Sequence, residues 1–386
     1  MKKKKKEKKI LYQLIFSAFL LFSNAYLVKA NSDILSQDST GKYCINTEQD
    51  YYNFIENIQN YNNKTVILCN DIDISDVPEA TSSFGGILNG KGHTITYASK
   101  EAKENIAVFP FRINDNGIVE NINVQIDESY AYNSETDEFQ TVFSRCDGIA
   151  KGITIKGNVT CIYDDEDTDV YIGAIEGNGT LMDSSIAITY DLQSEKTIEE
   201  IADDIVDNDL SFEFCQLGTI NTGITYQNCI GYGQYSEAIK SLADELEPKI
   251  KDNTWGYLCV SFTRKSFFST SASATNCYYD KENMPDIKIM SEYITNRDNN
   301  KEFPNYADFG KTTSEMKNQG TYEGFDFNKK WTISPEDNNG YPYYNPQTEE
   351  ITLKVQASTE PKVWSTSVPR DYNRFVDYAK NYHFPY

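Results

Sequence analysis

Gly117-Ile-Val-Glu-Asn-Ile-Asn-Val124 is followed by Gly148-Ile-Ala-Lys-Gly-Ile-Thr-Ile155 and then by Gly179-Thr-Leu-Met-Asp-Ser-Ser-Ile-Ala-Ile188. The three glycines are 31 residues apart, twice. Two further units end in an Asn-Cys pair, Gly223-Ile-Thr-Tyr-Gln-Asn-Cys229 and Ser273-Ala-Thr-Asn-Cys-Tyr278. Each unit reads as a turn feeding a short strand of period two. One such strand cannot bury its apolar face. Copies stacked in parallel bury it and pair the backbone groups of each copy with the next. The pattern therefore predicts an all-β solenoid; an antiparallel sandwich is the competing arrangement.

Helical patterns flank and interrupt the units. Thr47-Glu-Gln-Asp50 resembles a capping box, and Tyr51, Phe54, Ile55 and Ile58 fall on one face behind it. A helix there would cover the open N-terminal edge of a strand stack. Thr197 opens a second pattern with Ile198, Ile201, Ala202 and Ile205 on one stripe. Ser236 opens a third with Ile239, Leu242, Ala243 and Leu246, stopped by Pro248. These read as helical insertions near 195–209 and 236–247. The expected organisation is a signal peptide at 1–30, a linker at 31–41, and strands over 42–310. An aromatic cap at 311–344 and a tail at 345–386, either disordered or a short helix, complete it.

The 386 residues carry a net charge of −22. The first thirty hold eight lysines and one glutamate, so the remainder stands at −29. Such a chain repels phosphate backbones, which excludes nucleic-acid binding driven by counterion release. With 39% hydrophobic residues, intrinsic disorder is excluded as well. Lys2–Lys9 followed by the apolar stretch Ile10–Val28 and Val28-Lys29-Ala30 has the form of a secretory signal. The expected location is extracellular or at the cell surface, with no membrane span after cleavage.

Val66-Ile-Leu-Cys-Asn-Asp-Ile-Asp-Ile-Ser75 and Phe84-Gly-Gly-Ile-Leu-Asn-Gly-Lys-Gly-His-Thr-Ile95 resemble the opening of bacterial surface proteins with GLUG-type repeats. Val108-Phe-Pro-Phe-Arg-Ile113 leading into Gly117 looks like a rung of that family, and Asn228-Cys229 and Asn276-Cys277-Tyr278 like its strand ends. Lys311–Tyr344 is similar to its closing segment. The resemblance spans about residues 42–344. It implies a right-handed parallel β-helix in an adhesin-like protein, and it implies no reaction.

Candidate chemistry is sparse. Eight cysteines in an exported chain permit disulfides, and sequential pairing would join Cys146 with Cys161, Cys215 with Cys229, and Cys259 with Cys277. The alternative is buried, reduced thiols. Asp165, Asp167, Asp169 and Glu176 fit the carboxylates of a calcium loop, but Val170 stands where its glycine belongs. A looser calcium site would use Asp164, Asp165, Asp167 and Asp169; a solvated acidic loop is the plainer reading. Asp71 and Asp73 share a strand face as an acid–base pair would. His93 sits in a glycine-rich turn, His383 in the tail, and Gly90-Lys91-Gly92 lacks the rest of a phosphate loop. Twenty-eight tyrosines, with Tyr278, Tyr279, Tyr341, Tyr343 and Tyr344 clustered, suit carbohydrate or protein contact.

The expected function is a non-catalytic, adhesin-like binding module for extracellular carbohydrate or a host or matrix protein. No cofactor is expected unless calcium occupies the acidic loop. The alternatives are a carbohydrate-active enzyme, lyase or hydrolase, on the same scaffold, and a structural surface component.

Overall fold

The computed structural model describes residues 35–345, apart from 76, 79, 81, 99–107, 133–139, 164–167, 219–222, 252–253, 262–272, 286 and 292–308. The predicted signal and the tail beyond 345 lie outside the described residues. The protein is mostly β-strand, in one fifteen-stranded parallel sheet, a six-stranded sheet and a two-stranded ribbon.

The repeat sets the register. Val66 pairs with Leu88, Leu88 with Val119, Val119 with Ala150, Ala150 with Leu181, and Leu181 with Tyr226. All six side chains are buried. A second column runs Ile72, Ile95, Val124, Ile155, Ile186. The six-stranded sheet contributes Phe109 on Phe143 and Ile175, with Ile172 on Phe214 and Val260. Phe109 and Phe143 stack with centroids 4.4 Å apart. The columns meet in one buried cluster. Burying each such aliphatic or aromatic side chain is worth roughly 1.5–3 kcal/mol.

The chain visits these three faces in a fixed order. Strand Ile118–Tyr132 serves the first column up to Glu120 and the second from Ile122; Gln140–Cys146 then joins the smaller sheet. Ile149–Tyr163 and Val170–Gly177 repeat the circuit, followed by Thr180–Met182, Ser185–Gln193 and Ser211–Cys215.

The glycines of the repeat sit where adjacent turns approach most closely. The amide of Ile149 donates to the Gly117 carbonyl at 3.0 Å, and that of Thr180 to the Gly148 carbonyl at 2.8 Å. A Cβ on Gly148 would lie 2.3 Å from the Gly117 oxygen and 2.3 Å from the Asn114 oxygen, both backbone atoms.

Three helices occupy loops. Glu48–Glu56 begins at Thr47, whose side chain accepts from the Asp50 amide, and buries Tyr51, Phe54 and Ile55. Its Tyr51 hydroxyl donates to the Val108 carbonyl at 2.6 Å. Ile198–Asp207 starts with a full capping box between Thr197 and Glu200, and Glu237–Leu246 starts at Ser236. Both interrupt the chain at the same stage of the circuit, between the second column and the smaller sheet, in successive turns. They therefore pack on each other, joined by Lys249–Asp203 at 2.6 Å. Among the described residues no helix is long and apolar enough to cross a membrane.

The three disulfides named from sequence, Cys146–Cys161, Cys215–Cys229 and Cys259–Cys277, are not formed. Cys44 and Cys69 form a disulfide, while Cys146, Cys161, Cys215, Cys229, Cys259 and Cys277 are buried thiols, the alternative the sequence also offered. Parallel stacking explains this. Neighbours come from adjacent turns, so Cys44 lies beside Ile67 and reaches Cys69, 25 residues on. Cys146 instead pairs with Ile113 and Gly177 in one sheet, and Cys161 with Tyr130 and Leu192 in the other. The burial of Cys146 pushes its thiol up to about 12, which keeps it protonated and inert.

Gly148→Ala forces backbone apart at a contact that repeats along the stack. It is expected to destabilise the fold by roughly 1–3 kcal/mol or more. A urea titration followed by far-UV circular dichroism measures this, and an unchanged midpoint would refute the close-approach argument.

Candidate functional site

Between the first and second columns the chain turns through left-handed backbone at Asn121, Gly152, Asp183, Asn228 and Asn276, with φ from 49° to 61°. Asn, Asp and Gly are the residues that tolerate this region. Their side chains form a ladder: Asn276 Nδ2 donates to Asn228 Oδ1 at 3.2 Å, and Asn228 Nδ2 to Asp183 Oδ1 at 2.9 Å. Gly152 interrupts it. Asn121 Oδ1 is buried without a partner, and the Tyr344 ring occupies the place where a side chain on Gly152 would be, 2.5 Å from an added Cβ.

Tyr344 belongs to a strap. Residues 310–345, which contain the 311–344 segment read from sequence as a terminal cap, run back along the outside of this corner. Trp331, Tyr322, Phe325, Tyr341 and Tyr344 form a second buried cluster with Ile230 and Tyr278. Lys330 Nζ binds Asp183 Oδ2 at 3.1 Å. Asp280 anchors the strap at both ends. It accepts from the Thr313 hydroxyl at 2.7 Å, Asn283 Nδ2 at 2.9 Å and the Tyr341 hydroxyl at 2.5 Å. Burial alone would raise its pKa; these hydrogen bonds outweigh burial and hold the carboxyl below its ordinary value.

The strap accounts for most of the tyrosines singled out from sequence. Tyr278 meets Tyr322 edge-on at 5.2 Å, Tyr341 stacks on Tyr232 at 4.4 Å, and Tyr344 meets Trp331 edge-on at 6.0 Å. Tyr279 is buried in the main core. These four are less than a tenth exposed, so their rings do not form an open aromatic face. Tyr343 is different. It is half-buried and borders a groove of about 320 Å³ lined by Thr94, Asn123, Val124, Gln125, Thr154 and Lys156.

The groove follows from register. Thr94, Asn123 and Thr154 are consecutive partners on the outer face of the second column. Two residues along, Thr96, Gln125 and Lys156 form the next outward row. Asn123 Nδ2 is fixed by the Gly92 carbonyl at 2.7 Å, and Thr154 accepts from the Ser185 hydroxyl at 3.3 Å. Lys156 is half-buried, and its ammonium has no hydrogen-bond or ion-pair partner among the described residues. Burial holds its pKa below the usual lysine value. The result is a shallow site with fixed hydroxyl and amide groups, one ring and one unpaired cation. None of these lining residues except Tyr343 stood out in sequence, because they come from four distant segments; outward positions counted from Gly117 and Gly148 would have found Asn123, Gln125, Thr154 and Lys156.

The other candidates are outside the groove lining, although Asp71 and Asp73 lie next to it, Asp73 in register with Thr96. Asp71 accepts from the Thr94 amide at 2.9 Å and lies 3.0 Å from His93 Nδ1. The Thr94 bond, and then His93, lower its pKa, and it is largely exposed. Asp73 is exposed on the same strand face. Asp164, Asp165 and Asp167 lie outside the described residues. Asp169 accepts from the Ser211 amide at 2.6 Å and the Tyr171 hydroxyl at 2.9 Å. Among the described residues no group of three or more His, Cys, Asp or Glu is arranged to hold a metal ion. No protein-family model, curated protein or solved structure matches this chain.

Three outcomes follow from the strap. Gly152→Asn suits the left-handed backbone and gives Asn121 Oδ1 a donor, yet occupies the place of the Tyr344 ring. Hydrogen exchange is expected to accelerate over 331–345 while the strands at 118–193 stay protected; unchanged exchange in the strap would refute the steric reading. Asp280, with its pKa lowered in the folded state, contributes stability above the ordinary carboxylate range, and that contribution is lost as pH falls through the lowered value. In a Trp255→Phe, Trp364→Phe background, emission from buried Trp331 is expected to shift red on acidification. Asp280→Asn should weaken strap docking by about 2 kcal/mol at neutral pH, the scale of hydrogen bonds to a charged group.

Proposed function

We propose that this protein is a secreted, adhesin-like parallel β-helix that binds carbohydrate without catalysis, through the groove beside Tyr343. The fixed order of the three faces and the 31-residue repeat support a β-helix. The similarity of residues 42–344 to surface proteins with GLUG-type repeats, and the basic and apolar first thirty residues, support an exported surface role.

The observation that carries the reading is the lining of the groove. Sugars present hydroxyls that need donors and acceptors, and apolar C–H faces that pack on a ring. Asn123, Gln125, Thr94 and Thr154 supply the first and Tyr343 the second. The volume falls at the low end of the range for small-ligand sites. A rigid parallel scaffold holds these groups in place, which lowers the ordering cost of binding. Among the described residues the lining contains no carboxylate, whereas most glycoside hydrolases place a pair of carboxylates about the scissile bond.

A glycan array probed with the full chain tests this, alongside reducing-end release from the same polysaccharides. Binding without release is expected. Tyr343→Ala and Gln125→Ala, each with an unchanged circular dichroism spectrum, should weaken binding about tenfold, or roughly 1.4 kcal/mol. Release of sugar product would favour the enzyme alternative, and binding indifferent to both substitutions would remove the groove from the reading.

A further inference from the structure

Lys156 is at odds with its surroundings. A half-buried ammonium loses hydration and ordinarily recovers it through an acid or a hydrogen-bond acceptor. This one faces a groove of neutral hydroxyls, amides and a ring, and has no such partner among the described residues. The chain has 58 acidic residues against 36 basic ones. Acids are therefore abundant, yet this cation stands without one. Lys196, Lys240, Lys249 and Lys330 are paired with acids, although Lys151, also half-buried, has no acid partner among the described residues. The neighbouring rows hold Lys156 firmly: Gln125 and Ala187 flank it in register, and Ile155 beside it is buried in the core.

Resting on the carbohydrate reading above, we infer that the groove selects carboxylated sugars, with the Lys156 ammonium taking the carboxylate. Tyr343 packs on the sugar ring while Asn123, Gln125 and Thr94 bind its hydroxyls. A carboxylate restores to Lys156 the interaction that burial removed, and in the partly desolvated groove that charge pairing is stronger than in open water. The strong net negative charge does not forbid this. At physiological ionic strength, charges farther than about 8–10 Å from the groove are largely screened. A neutral sugar of the same shape leaves the ammonium without a counter-charge, and discrimination follows from that difference.

The test uses the full chain with two matched pairs of probes: an oligogalacturonate and the same oligosaccharide with its carboxylates reduced to alcohols, and sialyllactose and sialyllactose with its carboxylate reduced to an alcohol. Calorimetry is expected to show at least tenfold tighter binding of the carboxylated member in one pair, and the pair that responds identifies the source, uronate or sialate. Lys156→Met keeps the aliphatic stem and removes the charge. It should abolish the preference by bringing binding of the carboxylated member down to that of the neutral one, and leave the melting temperature equal or higher. Lys156→Arg should retain the preference. Equal binding of carboxylated and neutral members, or a preference that survives Lys156→Met, overturns the inference while the carbohydrate reading stands, provided Tyr343→Ala still weakens binding. Absence of binding to all four probes and to the glycan array overturns both. Binding of an acidic peptide in place of any sugar overturns both as well.

Discussion

Everything in this protein hangs on the parallel register between successive turns. Each strand places its residues directly on the corresponding residues of the turn before, at the spacing set by backbone hydrogen bonds, about 4.8 Å. Like therefore stacks on like. Val66, Leu88, Val119, Ala150, Leu181 and Tyr226 make one continuous apolar column because they occupy one position in the circuit. The same rule brings Gly117, Gly148 and Gly179 into a line where a side chain would strike backbone, and Asn, Asp and Gly into the left-handed corner. It also brings Thr94, Asn123 and Thr154 together on the outside, which makes a groove from segments far apart in the chain.

This is why the fold was legible in the sequence and the site was not. The glycine spacing and the alternation after it carry register information, so a parallel all-β stack could be read from three segments. The helices were legible through caps: Thr47, Thr197 and Ser236 each accept from an amide three residues on. What escaped was the tertiary use of polar positions. Tyr278, Tyr341 and Tyr344 looked like a binding surface because tyrosine clusters suit one, yet a ring has two faces and the strap uses them for packing. Asn121, Gly152 and Asp183 each stand four residues after the glycine of their unit, and Asn228 and Asn276 directly precede the cysteine of theirs, but that a ring takes the place of the missing Gly152 side chain lies beyond any pattern of the segment itself. The pairs Cys146–Cys161, Cys215–Cys229 and Cys259–Cys277 failed because in a stack of turns a cysteine faces residues of the turns above and below, as Cys146 faces Ile113 and Gly177.

The strap and the groove are physically linked. Tyr343 reaches the groove because Tyr344, the next residue, is seated over Gly152, and successive side chains of an extended segment point to opposite sides. The pairing of Thr332 with Tyr343 keeps that segment extended. A notch in a ladder of asparagines thus places the one half-exposed ring of the cluster beside an unpaired lysine.

In a stack of turns each layer touches only the next, so stability is a sum of neighbour terms and layers can peel from an end. The strap changes this. It touches the corner at Gly152, Asp183, Asn228 and Asn276 and is bolted to Asp280, so it spans layers that have no contact of their own. Such a tie makes those layers stand or fall together. Fraying from the C-terminal end must first lift the strap, and lifting it disturbs the middle of the molecule as well as the end. The segment gives a one-dimensional array the cooperativity of a globular domain over the same stretch where the groove lies.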